Sequence, residues 1–413
     1  VLLLLVFTRI LAHIPIPGFD LSSLRAILNN NQLLGLFDIF SGGGLRNFSV
    51  AMLGVGPFIT ATIIIQLLTI IVPKLAELQK EGGEAGRAKL NQYMRVLTIP
   101  LAPIQAYGTI ILLSRSGASN IVAGFTPFQW IVTLLSITTG TMILMWLGEI
   151  ITEFKVGNGI SLIIFAGIVA RIPSVIQQAY VSLSATSSTL SPESLLTILG
   201  YIALALVVTG GVVLITEAQR NIPVSYAKRV RGNKMYGGVN THLPLRINQA
   251  GVIPIIFAIS ILLFPGLIAN FFSQAKTASL ANFATNLNNF FQNQTYHGIM
   301  YFLLVVVFTY FYTAIVFNPD EIAENIQKQG GFIPGLRPGR QTADFLYKVL
   351  NRITLVGAIF LGLIAVLPNI VQIFTHTQAL TLGGTGLLIA VAVVIEVMKQ
   401  VQSQMVMRDY DDF

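Results

Sequence analysis

Ten runs of apolar residues recur along the chain, at about 1–14, 54–72, 95–113, 130–151, 160–178, 195–216, 250–270, 299–317, 350–367 and 384–405. Most approach the roughly 20 residues that a helix needs to cross the hydrocarbon of a bilayer. A chain with this pattern has few folds open to it. In lipid the backbone must satisfy its own hydrogen bonds, and a helix does so within one segment. Composition agrees, with 54% hydrophobic and 10% charged residues among 413, against roughly 25% charged in a soluble domain. A soluble fold is excluded, and the expected class is an all-α polytopic membrane protein with ten transmembrane helices.

The net charge of +8 gains meaning from its placement. Of the 25 Lys and Arg residues, 19 fall in or beside the segments after the second, fourth, sixth, eighth and tenth runs. Short loops rich in these residues stay in the cytoplasm, so both termini are expected there, with Arg9 left inside the first span. The opening VLLLLVFTRILAHIPIPG lacks the basic leader and small-residue cleavage site of a signal peptide. It reads as a first span whose start precedes this chain.

The polar stretch SLSATSSTLSPES at 182–194 divides the chain into 1–181, carrying five spans, and 195–413, carrying five more. Five is odd, so the second half enters the membrane in the opposite orientation. The expected layout is two inverted five-helix halves. Two cytoplasmic loops are long, at 217–249 and 318–349. In the first, Arg231-Gly232-Asn233 is a turn signal between β-prone runs and predicts a protruding hairpin. In the second, GGFIPGLRPG cannot continue a helix and predicts an ordered loop.

The chemistry of pumps is missing from the sequence. It has no Gly-Lys dipeptide for a P-loop and no GxGxxG. Without cysteine, and with His13, His242, His297 and His376 scattered, no metal-ligand spacing exists. Glu149, Glu153, Arg171 and Glu396 are the ionisable residues nearest mid-membrane, and Glu396 is expected to pair with Lys399 one turn on. Thr60, Thr62 and Gln66 in the second span read first as helix-contact residues. The run LFDIFSGGGLRNFSVAML before that span is too short and polar to cross. It is either an outer cap over helix ends or a half-inserted helix on a glycine hinge.

Three long runs carry a resemblance: SVAMLGVGPFITATIIIQLL at 49–68, MWLGEIITEFKVGNGISLIIFAGIVARIP at 145–173 and THLPLRINQAGVIPIIFA at 241–258. With IPIPG at 14–18, FNPDEIAENIQKQGGFIPGLRPG at 317–339 and GGTGLLI at 383–389, the chain resembles the SecY family over nearly its whole length. That family supplies the channel subunit of the bacterial and plastid Sec protein translocase. The resemblance implies a non-enzymatic, cofactor-free protein-conducting channel in a bacterial plasma membrane or thylakoid. In it the two halves form an hourglass sealed by aliphatic side chains and plugged from outside by a short helix.

Matched motif by motif, the ring falls on Val55, Ile59, Ile160, Ile164, Val252, Ile253, Ile256 and Ile389. Each taken alone also reads as lipid-facing filler. The plug falls on Phe40, Ser41, Gly42, Gly43, Gly44, Leu45, Arg46, Asn47, Phe48, Ser49, Val50 and Ala51, and the lateral gate on Thr60, Thr62 and Gln66. The implied partners are SecE and SecG, the motor ATPase SecA, the ribosome, signal peptides with nascent chains, and membrane lipids. Lys228, Arg229, Arg231, Lys234 and Arg337 are the implied contacts to SecA or the ribosome. At the hairpin tip the chain departs from the commonest pattern, with Asn233 before Lys234 in place of a doubled basic pair. The rival classes are a secondary transporter with an inverted repeat, which needs polar groups converging on a solute, and a membrane scaffold without a pore.

Overall fold

The computed structural model describes residues 1–17, 24, 38, 41–80, 83–115, 126–184, 192–226, 229–231, 234–236, 240–272, 282–284, 286–287, 290, 293–375 and 382–411. Each of the ten apolar runs coincides with a helix. In chain order these are α1 (Leu2–Leu11), α2 (Gly56–Ile71), α4 (Gly83–Arg115), α5 (Pro127–Glu153), α6 (Gly159–Ser184), α7 (Pro192–Glu217), α8 (Ile253–Phe272), α9 (Gln294–Val316), α11 (Arg340–Thr375) and α12 (Leu382–Asp411). Two short polar helices interrupt the series, α3 (Pro73–Lys80) and α10 (Pro319–Lys328). Pro73 cannot donate the next helical hydrogen bond, and α3 leaves α2 at 107°. Among the described residues, five helices are long and apolar enough to span a membrane by themselves, and α2 with α3 forms a bent sixth. The described parts of α1, α6, α7 and α8 are shorter apolar helices.

Helix starts are set by local chemistry. Thr126 and Gln129 exchange side-chain and backbone hydrogen bonds in a capping box at the start of α5. The Asn158 side chain accepts from the backbone N–H groups of Ile160 and Ser161, starting α6. There α5 and α6 approach so closely that a Cβ on Gly159 would lie 1.8 Å from the Gly148 carbonyl oxygen. Only hydrogen fits between them, as at small-residue interfaces in membranes.

The order of packing defines the pore-forming arrangement. α4 lies against α2 and α5, and α6 against α5 and α12. α12 also meets α7 and α11, and α9 lies between α8 and α11. α8 is the bridge, touching α2 and α4 on one side and α9 and α11 on the other.

The two long loops join in one sheet. β1 (Gln219–Tyr226) pairs antiparallel with β4 (Asn240–Arg246), and β5 (Gly331–Phe332), from the second loop, adds to the other edge of β1. Ile222, Val224 and Leu245 pack beneath it with Ile326, Ile333, Leu346 and Val349. The hairpin expected around Arg231 is present as β2 (Arg229–Arg231) and β3 (Lys234–Tyr236), with Arg231 opposite Lys234. The hairpin is a two-stranded ribbon of its own, distinct from the β4–β1–β5 sheet, and the GGFIPG loop contributes a strand that sequence reading missed.

Candidate pore and its seals

All eight residues expected in the ring belong to the large apolar cluster at the core of the bundle. Val55, Ile59, Ile164, Val252, Ile256 and Ile389 are buried in it, and Ile160 and Ile253 pack against it. They come from the starts of α2, α6 and α8 and from α12. Aliphatic side chains offer water and ions no hydrogen bond, so a narrow junction lined by them dewets.

A cavity of about 410 Å³ reaches Val252 and Ile253 of this cluster. It lies at the cytoplasmic ends of α8, α9 and α12, where Asn158, Ser161, Arg246, Asn248, Glu396 and Lys399 line it. The side-chain oxygen of Asn248 is buried without a partner among the described residues. Glu396 does not pair with Lys399 as the spacing had suggested. Lys399 Nζ meets Glu217 Oε1 of α7 at 2.9 Å, because a charge at a helix–helix contact takes its partner from the neighbouring helix.

On the outer side sits the plug segment. Phe40 lies outside the described residues; Ser41 to Val55 form a chain of tight turns instead of the expected short helix. The backbone N–H groups of Gly44, Phe48, Met52, Gly54 and Gly56 each donate to the carbonyl three residues earlier. Gly42 at φ +64° and Gly54 at φ +56° adopt the left-handed region that favours glycine. Such reversals break a helix before it gains length.

Leu45, Phe48, Met52 and Leu53 are wholly buried against Ile16, Ala106, Ile110, Leu113 and Ile137, so the plug docks chiefly on α4 and α5. Backbone bonds from Ile16 to Phe48 and from Val50 to Ile14, 2.9 and 3.0 Å long, tie it to the IPIPG segment. Gly42 also abuts Gly167 of α6, and Gly140 of α5 abuts the Val50 carbonyl.

Sequence reading missed an electrostatic tether at this seal. Asp38 Oδ2 lies 3.0 Å from Arg171 Nη1 of α6, with the carboxylate almost wholly buried. Asp38 Oδ1 also accepts from the Arg46 backbone N–H at 2.8 Å. Arg9 of α1 donates to the Gly42 carbonyl. Burial pushes the Asp38 carboxyl above its ordinary range, opposed by the charges of Arg171, Arg46 and Arg9. The available signal was that Arg9 and Arg171 are isolated cations inside apolar spans.

The residues assigned to the lateral gate divide. Thr60 accepts a hydrogen bond from Gln105 Nε2 of α4 at 3.1 Å and faces that neighbour. Thr62 donates to its own helix at the Phe58 carbonyl. Gln66 keeps a buried oxygen without a partner among the described residues. α8 touches both α2 and α4.

On the cytoplasmic side, Arg337 is exposed between Gly335 at φ +85° and Gly339 at φ +96°. Its carbonyl accepts from the Thr342 hydroxyl at 3.0 Å. Arg229, Arg231 and Lys234 are on the β2–β3 hairpin, and Lys228 lies outside the described residues.

A polar cavity, an aliphatic junction and a docked outer plug, set in a bundle of apolar helices, define a plugged membrane channel. The SecY family pattern matches residues 49–398. The chain is 43% identical to the protein translocase subunit SecY of Thermotoga maritima over 419 residues, covering 100% of this chain and 93% of that protein. It is also 43% identical to the SecY subunit of Streptomyces coelicolor, over 99% of this chain and 94% of that one. This chain belongs to the SecY family. The fold is similar to that of a solved protein conducting channel, with TM-score 0.64 and 20% identity over 98% of this chain and 91% of the other. It is also similar to canine Sec61 in a ribosome–channel complex, at TM-score 0.62 and 19% identity with the same coverage.

Proposed function

We propose that the chain is the pore-forming subunit of a protein translocase, passing unfolded polypeptides outward and releasing hydrophobic segments sideways between α2 and α4 on one side and α8 and α9 on the other. The observation that supports this reading is an apolar cluster containing all eight aliphatic residues, with a polar cavity reaching it at Val252 and Ile253 and the plug segment docked on α4 and α5. A ring without specific contacts deforms around any sequence yet denies ions a hydrated path. The plug leaves and the α8 seam parts when a chain enters.

Residues 1–181 and 195–413 act as two inverted halves joined by the 182–194 hinge. The chain is not an enzyme, and the energy comes from SecA or from a translating ribosome docked on the basic cytoplasmic loops. SecE and SecG complete the membrane complex in the plasma membrane.

The reading is tested by Ile59→Asn and Ile164→Asn in planar bilayers. An amide stabilises water where an alkyl group expels it, so both variants should pass ions at rest while the parent stays silent. Silent bilayers for both would leave a pore reading without support.

Docking is tested at Arg337. Arg337→Glu should block SecA-driven translocation into vesicles while sparing expression and resting tightness, since losing a charged partner at an interface costs about 2–5 kcal/mol. Arg340→Glu, with the same charge change three residues away, should be much milder. Equal effects would assign the loop's role to bulk charge.

A further inference from the structure

Away from the pore, the membrane-facing groove between α9 and α11 contains a separate cavity of about 330 Å³. Tyr310 and Thr313 reach it from the last two turns of α9, Asp320 from the start of α10, and Asp344, Tyr347 and Thr354 from the first four turns of α11. These are the cytoplasmic ends of both spans. Further into the membrane the same face carries Leu303 and Val307 on α9 and Leu355 and Ile359 on α11, all exposed. The spacing from Leu303 through Val307 and Tyr310 to Ala314 keeps one helical face. The cavity therefore caps an apolar groove, between two tyrosines of the kind that sit at membrane interfaces.

Two observations point to a ligand. Asp320 and Asp344 form no ion pair among the described residues, although Arg340 and Lys348 flank Asp344 one turn away on either side. Thr313 and Thr354 are each only 3% exposed, and neither hydroxyl has a hydrogen-bond partner among the described residues. Thr309, one turn from Thr313, gives its hydroxyl to the Val305 carbonyl at 2.7 Å, the usual arrangement in a helix. Two carboxylates and two unspent hydroxyls at the mouth of an acyl-sized groove match a group with a positive charge and several N–H donors.

We propose that this cavity binds the primary ammonium headgroup of an aminophospholipid from the cytoplasmic leaflet, with Asp320 and Asp344 as its counter-charges and the acyl chains lying along the α9–α11 groove. A quaternary ammonium carries the charge without N–H donors and should bind less well.

The full chain, purified in detergent, would be offered equimolar phosphatidylethanolamine, phosphatidylcholine and phosphatidylglycerol, and retained lipid read by native mass spectrometry. The expected result is about tenfold preference for phosphatidylethanolamine over phosphatidylcholine, the ratio carried by one charge-assisted hydrogen bond. Asp320→Asn with Asp344→Asn should abolish the preference, and Glu324→Gln, on the same short helix but paired with Lys328, should leave it intact. Thermal unfolding checks that the double variant is folded, and Tyr347→Leu, which keeps both carboxylates, should reduce retention independently. Equal retention of the two lipids by the parent, or an unchanged preference in the double variant, would overturn the proposal. Displacement by soluble phosphoethanolamine at concentrations equal to the lipid would refute a lipid site in favour of a free amine.

Discussion

Asp38 and Arg171 form a buried ion pair that ties the segment before the plug to α6. Removing charge from water is costly, and the pair is retained only because each partner compensates the other. With Arg171→Gln the main counter-charge disappears and burial pushes the carboxyl further up, leaving Arg46 and Arg9 as the remaining cations nearby. A docked plug then holds its proton more tightly than a released one. The proton-linked part of docking is present at acid pH and lost as pH rises through the raised value. The Arg171→Gln channel should therefore leak more ions at alkaline than at mildly acid pH, whereas Asp38→Asn with Arg171→Gln should show a flat profile. Conductance recorded across a pH series checks both.

The isolated cations Arg9 and Arg171 were visible beforehand but their partners were not, because single charges in apolar surroundings have no spacing from which a partner can be read. Spacing also misled at Glu396. Its neighbour Lys399 one turn on is satisfied by Glu217 from α7, a contact that exists only after the helices assemble.

At the level of elements, hydropathy located all ten apolar helices because burial in lipid requires long uninterrupted runs. It was silent on neighbours, since lipid-facing and helix-facing sides are equally apolar. The ring residues were legible only through motif likeness, and their common cluster depends on how α2, α6, α8 and α12 pack. The residues alone left the plug open between an outer cap and a half-inserted helix, and only the resemblance implied a short helix; Ser41 to Val55 form turns, with Gly42 and Gly54 in left-handed conformations.

Docking also depends on what the plug rests against. A Cβ on Gly140 would stand 2.1 Å from the Val50 carbonyl oxygen, far inside contact distance. Gly140→Ala should thus displace the plug and raise resting conductance without abolishing translocation, as bilayer recordings paired with a vesicle transport assay would reveal. Unchanged tightness would mean that the plug shifts within its site at little cost.

For the whole molecule, the orientation set by charge can be checked directly, because the chain has no native cysteine. Single cysteines at Ser225 in the sheet or at exposed Gln341 should react with an impermeant reagent only from the cytoplasmic side, and one at exposed Asn293 only from the outer side. A reversed pattern at either end would overturn the topology.

In the channel proposed above, the aliphatic junction and the plug, which pack chiefly in different clusters, act as barriers in series. The chance that an ion finds a way through at rest is then a product of two small probabilities, where a single barrier would have to be nearly perfect alone. Each barrier can be loose enough to yield to a passing chain while the pair remains tight, and damage to both should multiply the leak well beyond the sum of the separate defects.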